Sequence, residues 1–235
     1  MVSNMQRHFE QELDSLKTNL IKMGSIAEES VRLSIKALLN KDNSLALRVI
    51  DNEERINSLE IEIDNAIVDI LALQQPVAID LRLILAAQKI NNDLERIGDH
   101  AVNIAESVES ILKAKEELEL ISLPKMAELA EKMLRNSLDS FIHNDPKLSM
   151  AVLKDDDTID DLNRDVFRRV VDRMKDNQRT IETGMGLIRI SRNLERIADL
   201  STNIAEEVIF IAQARIVKHH AGDKANEVKG TTTPS

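Results

Sequence analysis

One thirteen-residue stretch occurs twice in this chain and decides its fold. LERIGDHAVNIAE at residues 94–106 returns as LERIADLSTNIAE at residues 194–206. Nine of the thirteen positions are identical, at an offset of 100 residues. Upstream the halves also correspond, at an offset of 103, so that Asp42 matches Asp145 and Ile56 matches Ile159. Self-similarity over such a distance indicates that one structural unit is built twice.

Chain-breaking residues divide each half into three long segments. Asp42 and Asp145 can each end one helix and cap the next, Pro76 stops a helix where it occurs, and Leu123-Pro124 marks the mid-chain connection. We therefore predict six helices, at about 3–40, 43–74, 78–116, 124–144, 146–176 and 181–218.

Apolar residues recur at alternating spacings of four and three along three of these segments. In the third segment they are Leu83, Ala87, Ile90, Leu94, Ile97, Ala101, Ile104, Val108 and Ile111. In the sixth they are Leu187, Ile190, Leu194, Ile197, Ser201, Ile204, Val208 and Ile211, and in the second Ile56, Leu59, Ile63, Ala66, Ile70 and Leu73. Such heptad seams predict near-parallel packing between long helices, and short connections favour antiparallel bundles.

The fold prediction is all-α, with six long helices forming two similar three-helix bundles in tandem. The first bundle repeat is expected at residues 1–118 and the second at 119–219. The last stretch, 220–235, is polar and contains Gly, Thr and Pro, which is typical of a disordered tail.

Composition excludes several classes of function. The 235 residues include 31 Lys and Arg against 41 Asp and Glu, a net charge of −10, and no Cys. A disulfide framework and a thiolate metal site are therefore excluded, and the negative charge argues against nucleic acid as a partner. No secretory signal is visible, and no stretch approaches the roughly 18 apolar residues of a membrane span, so we expect a cytoplasmic protein.

Five polar residues of the repeated stretch are identical in both halves although they lie off the apolar seam. In the first copy they are Glu95, Arg96, Asp99, Asn103 and Glu106. Glu95 and Asp99 stand one helical turn apart on one face, and so do Glu195 and Asp199. Like charges at this spacing repel and destabilise a helix by a few tenths of a kcal/mol, whereas a cation bound between them makes the arrangement stabilising. Oxygen ligands favour Mg²⁺, Mn²⁺ or Fe.

The second and fifth segments offer partner pairs at the same spacing, Glu53 with Asn57 and Asp156 with Asp160. If these helices lie beside the third and sixth, each bundle gathers two pairs and forms one multinuclear metal site. The alternative is an ordinary solvated helix surface, which produces such pairs often. Arg96 and Arg196 are expected in surface ion pairs. His100 is expected to be structural or solvent-exposed, because Leu200 replaces it in the second half.

The doubled motif resembles the PhoU family of bacterial phosphate-transport regulators. Besides LERIGDxxxNIAE and LERIADxxxNIAE, the resemblance rests on Gln75-Pro76, Asp80-Leu81-Arg82 and Arg179-Thr180-Ile181, and it covers about residues 5 to 218. It implies two three-helix bundles and motifs of the form E(D)xxxD that hold multinuclear clusters of iron or another metal. The matching positions are Glu53, Asn57, Glu95, Asp99, Asp156, Asp160, Glu195 and Asp199. Asn57 departs from the motif, which implies less negative charge in the first-half site.

The resemblance also implies a regulatory role rather than an enzymatic one. The expected protein is a negative regulator of phosphate uptake and of the phosphate-starvation response. It would act as an adaptor between the phosphate ABC transporter and a phosphate-sensing histidine kinase of a two-component system. The implied cofactor is a multinuclear metal cluster, with iron as the first candidate and zinc, manganese or magnesium as alternatives. A cytoplasmic homodimer is expected, attached to the membrane only through its partners.

Two other functions stay open from the residues. Metals held by paired carboxylates can activate water for phosphoester hydrolysis, and the protein would then be a metal-dependent phosphoesterase. A purely structural helical scaffold would use none of these acids for chemistry.

Overall fold

The computed structural model describes residues 2–114, 116, 118–120 and 122–213, with side chains from residue 8 onward. Its helices are α1 Val2–Asn40, α2 Asn43–Gln74, α3 Ala78–Lys113, α4 Leu123–His143, α5 Pro146–Asp176 and α6 Ile181–Gln213. None of the helices described is both long and apolar enough to cross a membrane. The predicted tail 220–235 and the last predicted residues of the sixth helix, 214–218, lie outside the described residues.

The helix ends fall where the sequence places its breakers. Asp42 caps α2, with Oδ1 accepting from the Ser44 backbone nitrogen at 2.9 Å and from its hydroxyl at 2.7 Å. Asp145 caps α5 in the same way, accepting from the Lys147 nitrogen at 2.9 Å. α3 ends at Lys113 rather than at 116, because Ala114 already has extended backbone angles. The six predicted helices are confirmed.

The six helices form two bundles that share one hydrophobic core. α1, α2 and α3 pack on one another, and α4, α5 and α6 do the same. Two further contacts join the bundles, α3 against α6 and α1 against α4. The predicted all-α tandem of three-helix bundles is confirmed, whereas the residue boundary between repeats at 118 and 119 stays a prediction.

The apolar seams are buried in α3 from Leu83 to Val108 and in α6 over their whole length. The α2 seam is wrong at its end, since Leu73 is 73% exposed and Ala66 is half-buried. The buried stripe includes Ile70 as predicted, but it runs through Ile67 in place of Ala66. A straight helix has 3.6 residues per turn, so a strict seven-residue repeat drifts off the buried stripe along α2.

α3 and α6 lie at the centre of the molecule and are buried on more than their seams. Ile84 and Ala105 on α3 and Leu200 on α6 are also buried. Gly186 marks a close approach of the two helices, because a Cβ there would lie 2.6 Å from the Ile111 Cγ1 atom. The two central helices thus bring the two copies of the repeated motif to the junction of the bundles.

Candidate metal-binding faces

The first acidic face consists of Glu53, Asn57 and Glu60 on α2 together with Glu95 and Asp99 on α3. Partial burial is the largest cause that raises the pKa of Glu53, Glu60 and Glu95 above their usual values. The charge of Asp99 raises all three further. Glu53 of the α2 pair therefore lies close enough to the Glu95–Asp99 pair of α3 for their charges to repel, as adjacency of α2 and α3 requires.

Glu60 belongs to this face although sequence reasoning did not single it out. Its charge also raises the pKa of Glu95. The signal was present, because Glu60 follows Glu53 by seven residues and Asn57 by three, which keeps all of them on one helix side. At the position equivalent to Glu60 the second half has Asn163.

This exchange bears on the weaker charge expected for the first-half metal site, which stays a prediction. The first face lacks a carboxylate at Asn57 but gains one at Glu60. The second half has the reverse arrangement, with Asp160 and Asn163. Each face therefore carries four carboxylates. The missing negative charge at Asn57 is offset by Glu60, which lies on the next turn of α2 and faces the same surface.

The second acidic face consists of Asp156, Asp160 and Asn163 on α5 together with Glu195 and Asp199 on α6. The pKa of Glu195 is raised, first by partial burial and then by the charge of Asp199, with a smaller contribution from Asp160. A hydrogen bond from the Asn163 amide opposes this shift. The predicted pairs of the second half are thus also brought to one surface.

The two arginines of the repeated motif, Arg96 and Arg196, lie near the junction of the two bundles, beside the second acidic face. With Asp156 and Asp199 they line a surface recess of about 370 Å³. Arg196 Nη1 lies 2.9 Å from Asp199 Oδ2, and Arg96 Nη1 lies 3.6 Å from Asp93 Oδ1. Arg196 forms the expected surface ion pair, with Asp199 shared between it and the acidic face, whereas Arg96 pairs with a carboxylate that is itself buried.

A polar contact joins α3 to α6 beside these faces. Asp93 is 7% exposed and accepts a hydrogen bond from Asn203, and burial raises its pKa to about 6. Asn203 thus reaches across the junction of the two bundles. His100 Nδ1 lies 2.8 Å from Asn193 Oδ1, which agrees with a structural role for that histidine. Neither Asp93 nor Asn193 was singled out from the sequence, because their helix faces are covered only where the two bundles meet.

The chemistry of the donors fits a hard or borderline cation. The donors named on both faces are carboxylate or amide oxygens, and a cation would relieve the repulsion that raises their pKa values. Within the described part of the chain, no three His, Asp or Glu side chains are placed as a ready metal-binding group. Binding would therefore require the carboxylates to rotate toward one point. The assignment of the eight predicted ligands stays a prediction.

Fold and surface together define an all-α tandem-repeat protein in which each three-helix unit presents an acidic face at equivalent positions. A model described as the PhoU domain matches residues 20–108 and again residues 123–208, one match in each bundle. The chain belongs to the PhoU family, as its doubled motif predicted.

Curated relatives and solved structures agree with this assignment. The phosphate-specific transport system accessory protein PhoU homolog of Zymomonas mobilis is 34% identical over 91% of this chain and 90% of its own length. The accessory protein PhoU of Escherichia coli is 31% identical over 96% of this chain and 95% of its own. The crystal structure of PhoU from Pseudomonas aeruginosa matches with a TM-score of 0.86 and 34% identity, covering 88% of this chain and 100% of that one. These homologues are named as accessory proteins of phosphate transport.

Proposed function

We propose that this protein is a negative regulator of phosphate uptake and of the phosphate-starvation response. It acts as a metal-binding adaptor between the phosphate ABC transporter and the sensor histidine kinase. In this proposal it is a cytoplasmic homodimer that reaches the membrane only through its partners. The observation that carries the role is similarity over nearly the full length to accessory proteins of phosphate transport.

An adaptor role is proposed rather than an enzymatic one because the relatives are named as accessory proteins. A protein similar in structure, from Streptococcus pneumoniae, is described as a phosphate transport system regulatory protein, with a TM-score of 0.82 and 28% identity. The two bundles offer two separate surfaces on one rigid core, which suits a protein that contacts two partners.

Metal binding is proposed at the two acidic faces. In the first, Glu53, Glu95 and Asp99 would hold the cluster with Asn57. In the second, the ligands would be Asp156, Asp160, Glu195 and Asp199. The bound metal, iron in the first instance, would supply positive charge between carboxylates that otherwise repel, which would fix α2 against α3 and α5 against α6.

Deleting the gene tests the regulatory role. In high-phosphate medium we expect a phosphate-starvation reporter to be derepressed in the deletion strain and repressed again by the full-length chain. Unchanged reporter expression in the deletion strain would reject the role.

Metal content tests the two faces separately from the role. Protein carrying Asp99→Asn and Asp199→Asn should lose most of its bound metal after purification without added metal. The matched control is Glu62→Gln with Asp69→Asn, two exposed acids of α2 outside the first face. Equal metal content in all three proteins would remove the assignment while leaving the regulatory role standing.

A further inference from the structure

The two halves differ in a groove between α5 and α6 that adjoins the second acidic face at Asn163. This α5–α6 groove has a volume of about 240 Å³ and is lined by Asn163, Arg164, Phe167, Ile188, Ser191 and Arg192. One of these lining residues, Phe167, is 49% exposed. The chain has only four Phe, and a phenylalanine with half of its surface exposed to solvent adds to the apolar surface of the groove.

The equivalent positions in the first half hold a network of polar side chains. Asp64 stands where the second half has Phe167, and it accepts hydrogen bonds from Gln88 Nε2 at 2.9 Å and from Asn91 Nδ2 at 2.8 Å. Gln88 itself corresponds to Ile188. Because both halves share one helix arrangement, the packing of α5 on α6 does not require an exposed aromatic or an arginine at these positions.

The charged residues that line the groove are two arginines, Arg164 and Arg192, and Asp160 and Asp161 flank it next to Arg164. Residues 164–192 contain eight Lys and Arg and four Asp and Glu, a net charge of +4 in a chain of net charge −10. Some of these bases are already paired: Arg168 lies 2.8 Å from Asp165, and Arg164 pairs with Asp161. The Arg164 and Arg168 side chains are 68% and 71% exposed and can therefore also contact a partner's carboxylates, whereas Asp165 is only 21% exposed and is also bound by Arg169.

Apolar side chains extend the groove along both helices. Ile181 and Met185 on α6 are 45% and 49% exposed. They precede Ile188 by seven and three residues, which places them on the same side of the helix. Arg, Phe and Met are the side chains enriched in the centres of protein interfaces.

We infer that the α5–α6 groove is a docking site for an acidic protein segment that also carries an apolar side chain. Its carboxylates pair with Arg168 and Arg192, and its apolar side chain covers Phe167. Charge complementarity selects this occupant, since the groove is a basic surface on an acidic protein. The inference does not rest on the phosphate role, because its test measures peptide binding alone.

The probe is a fluorescein-labelled twelve-residue peptide built from Glu with two Leu and one Phe, and its comparison has Lys in place of Glu. Fluorescence anisotropy with the full chain measures binding. We expect only the acidic peptide to bind, and its affinity to fall as salt rises from about 50 mM to about 300 mM. Replacing the peptide's Phe by benzoylphenylalanine should give cross-links within residues 163–192.

The variant pair is Arg168→Glu with Arg192→Glu, and its charge-matched control is Lys147→Glu with Lys154→Glu on the exposed first half of α5. We expect the first pair to weaken peptide binding by about tenfold or more, and the control pair to leave it within about twofold. Phe167→Ser should weaken binding without changing net charge. If circular dichroism shows that the arginine variant has lost helicity, binding by Phe167→Ser and the positions of the cross-links test the inference instead.

Several results would overturn the inference. One is an equal loss in both charge variants, which would mean that only net charge matters. Others are cross-links outside the groove, or binding to phosphatidylserine vesicles in place of the peptide, which would make the surface a lipid site. A concentration-dependent dimer that Phe167→Ser abolishes would assign the groove to a second copy of the chain.

Discussion

Asp93 on α3 accepts a hydrogen bond from Asn203 on α6, and this contact joins the two halves of the repeat. The equivalent of Asp93 in the second half is Asn193. An ionisable residue and its neutral isostere thus occupy matching places at the junction of the bundles. The carboxylate is the less favourable of the two at neutral pH, since burial raises its pKa.

Asp93→Asn is therefore expected to stabilise the protein at pH 7. The pKa of Asp93 rises from 3.8 to about 6 on folding, so between these values the native state keeps a proton that the unfolded state has released. The free energy of unfolding therefore falls as pH rises through this window, by up to about 3 kcal/mol. The amide that replaces the carboxyl group in Asp93→Asn does not ionise, so the variant does not lose this stability. The lost pair with the exposed Arg96 subtracts little.

Urea denaturation of both proteins from about pH 4 to pH 8 measures this effect. The advantage of the Asn variant should shrink to a small fraction toward pH 4, where the native state of the parent carries the proton and the unfolded state is about half protonated. A variant that is less stable than the parent at pH 7 would contradict the raised pKa.

Metal affinity of the first acidic face should follow the number of its carboxylates. Glu60→Gln is expected to weaken Mn²⁺ binding to this face on the order of tenfold, and Asn57→Asp to strengthen it. Isothermal titration calorimetry with Mn²⁺, in protein whose second face is disabled by Asp199→Asn, isolates the site. An effect of Asn57→Asp without any effect of Glu60→Gln would place Glu60 outside the ligand set.

Gly186→Leu is expected to destabilise the protein by about 2 kcal/mol or more, because a larger side chain meets Ile111 across the junction of α3 and α6. Glu182→Leu, one turn earlier on an exposed face of α6, is the control for adding a leucine to this helix. Thermal denaturation compares the two. Equal melting temperatures would mean that α3 and α6 are not in close contact at Gly186.

Asp145→Ala is expected to cost about 1 kcal/mol, because it removes the side chain that satisfies free backbone nitrogens at the start of α5. Thr158→Ala, at an exposed position in the middle of the same helix, should be nearly neutral. Chemical denaturation curves give both values, and a neutral Asp145→Ala would show that Pro146 alone sets the helix start.

Much of the fold follows from local signals in the sequence. Pro76, Asp42 and Asp145 act within a few residues of themselves, so they set helix ends whatever surrounds them. The heptad seams of α3 and α6 depend only on spacing, and they identify the buried side of each helix. Internal repetition then gives two bundles, and it marks Glu95, Asp99, Glu195 and Asp199 without any knowledge of their neighbours.

Tertiary structure decided which helices meet and what their remaining sides contact. Heptad spacing describes one buried stripe, whereas α3 and α6 are buried on several sides because each bundle covers the other. Asp93 and Asn203 therefore lie in a contact that no local pattern predicts. Glu60 joins the first acidic face, and Phe167 is left exposed, because the position of a side chain on a surface depends on the neighbouring helix as well as on its own.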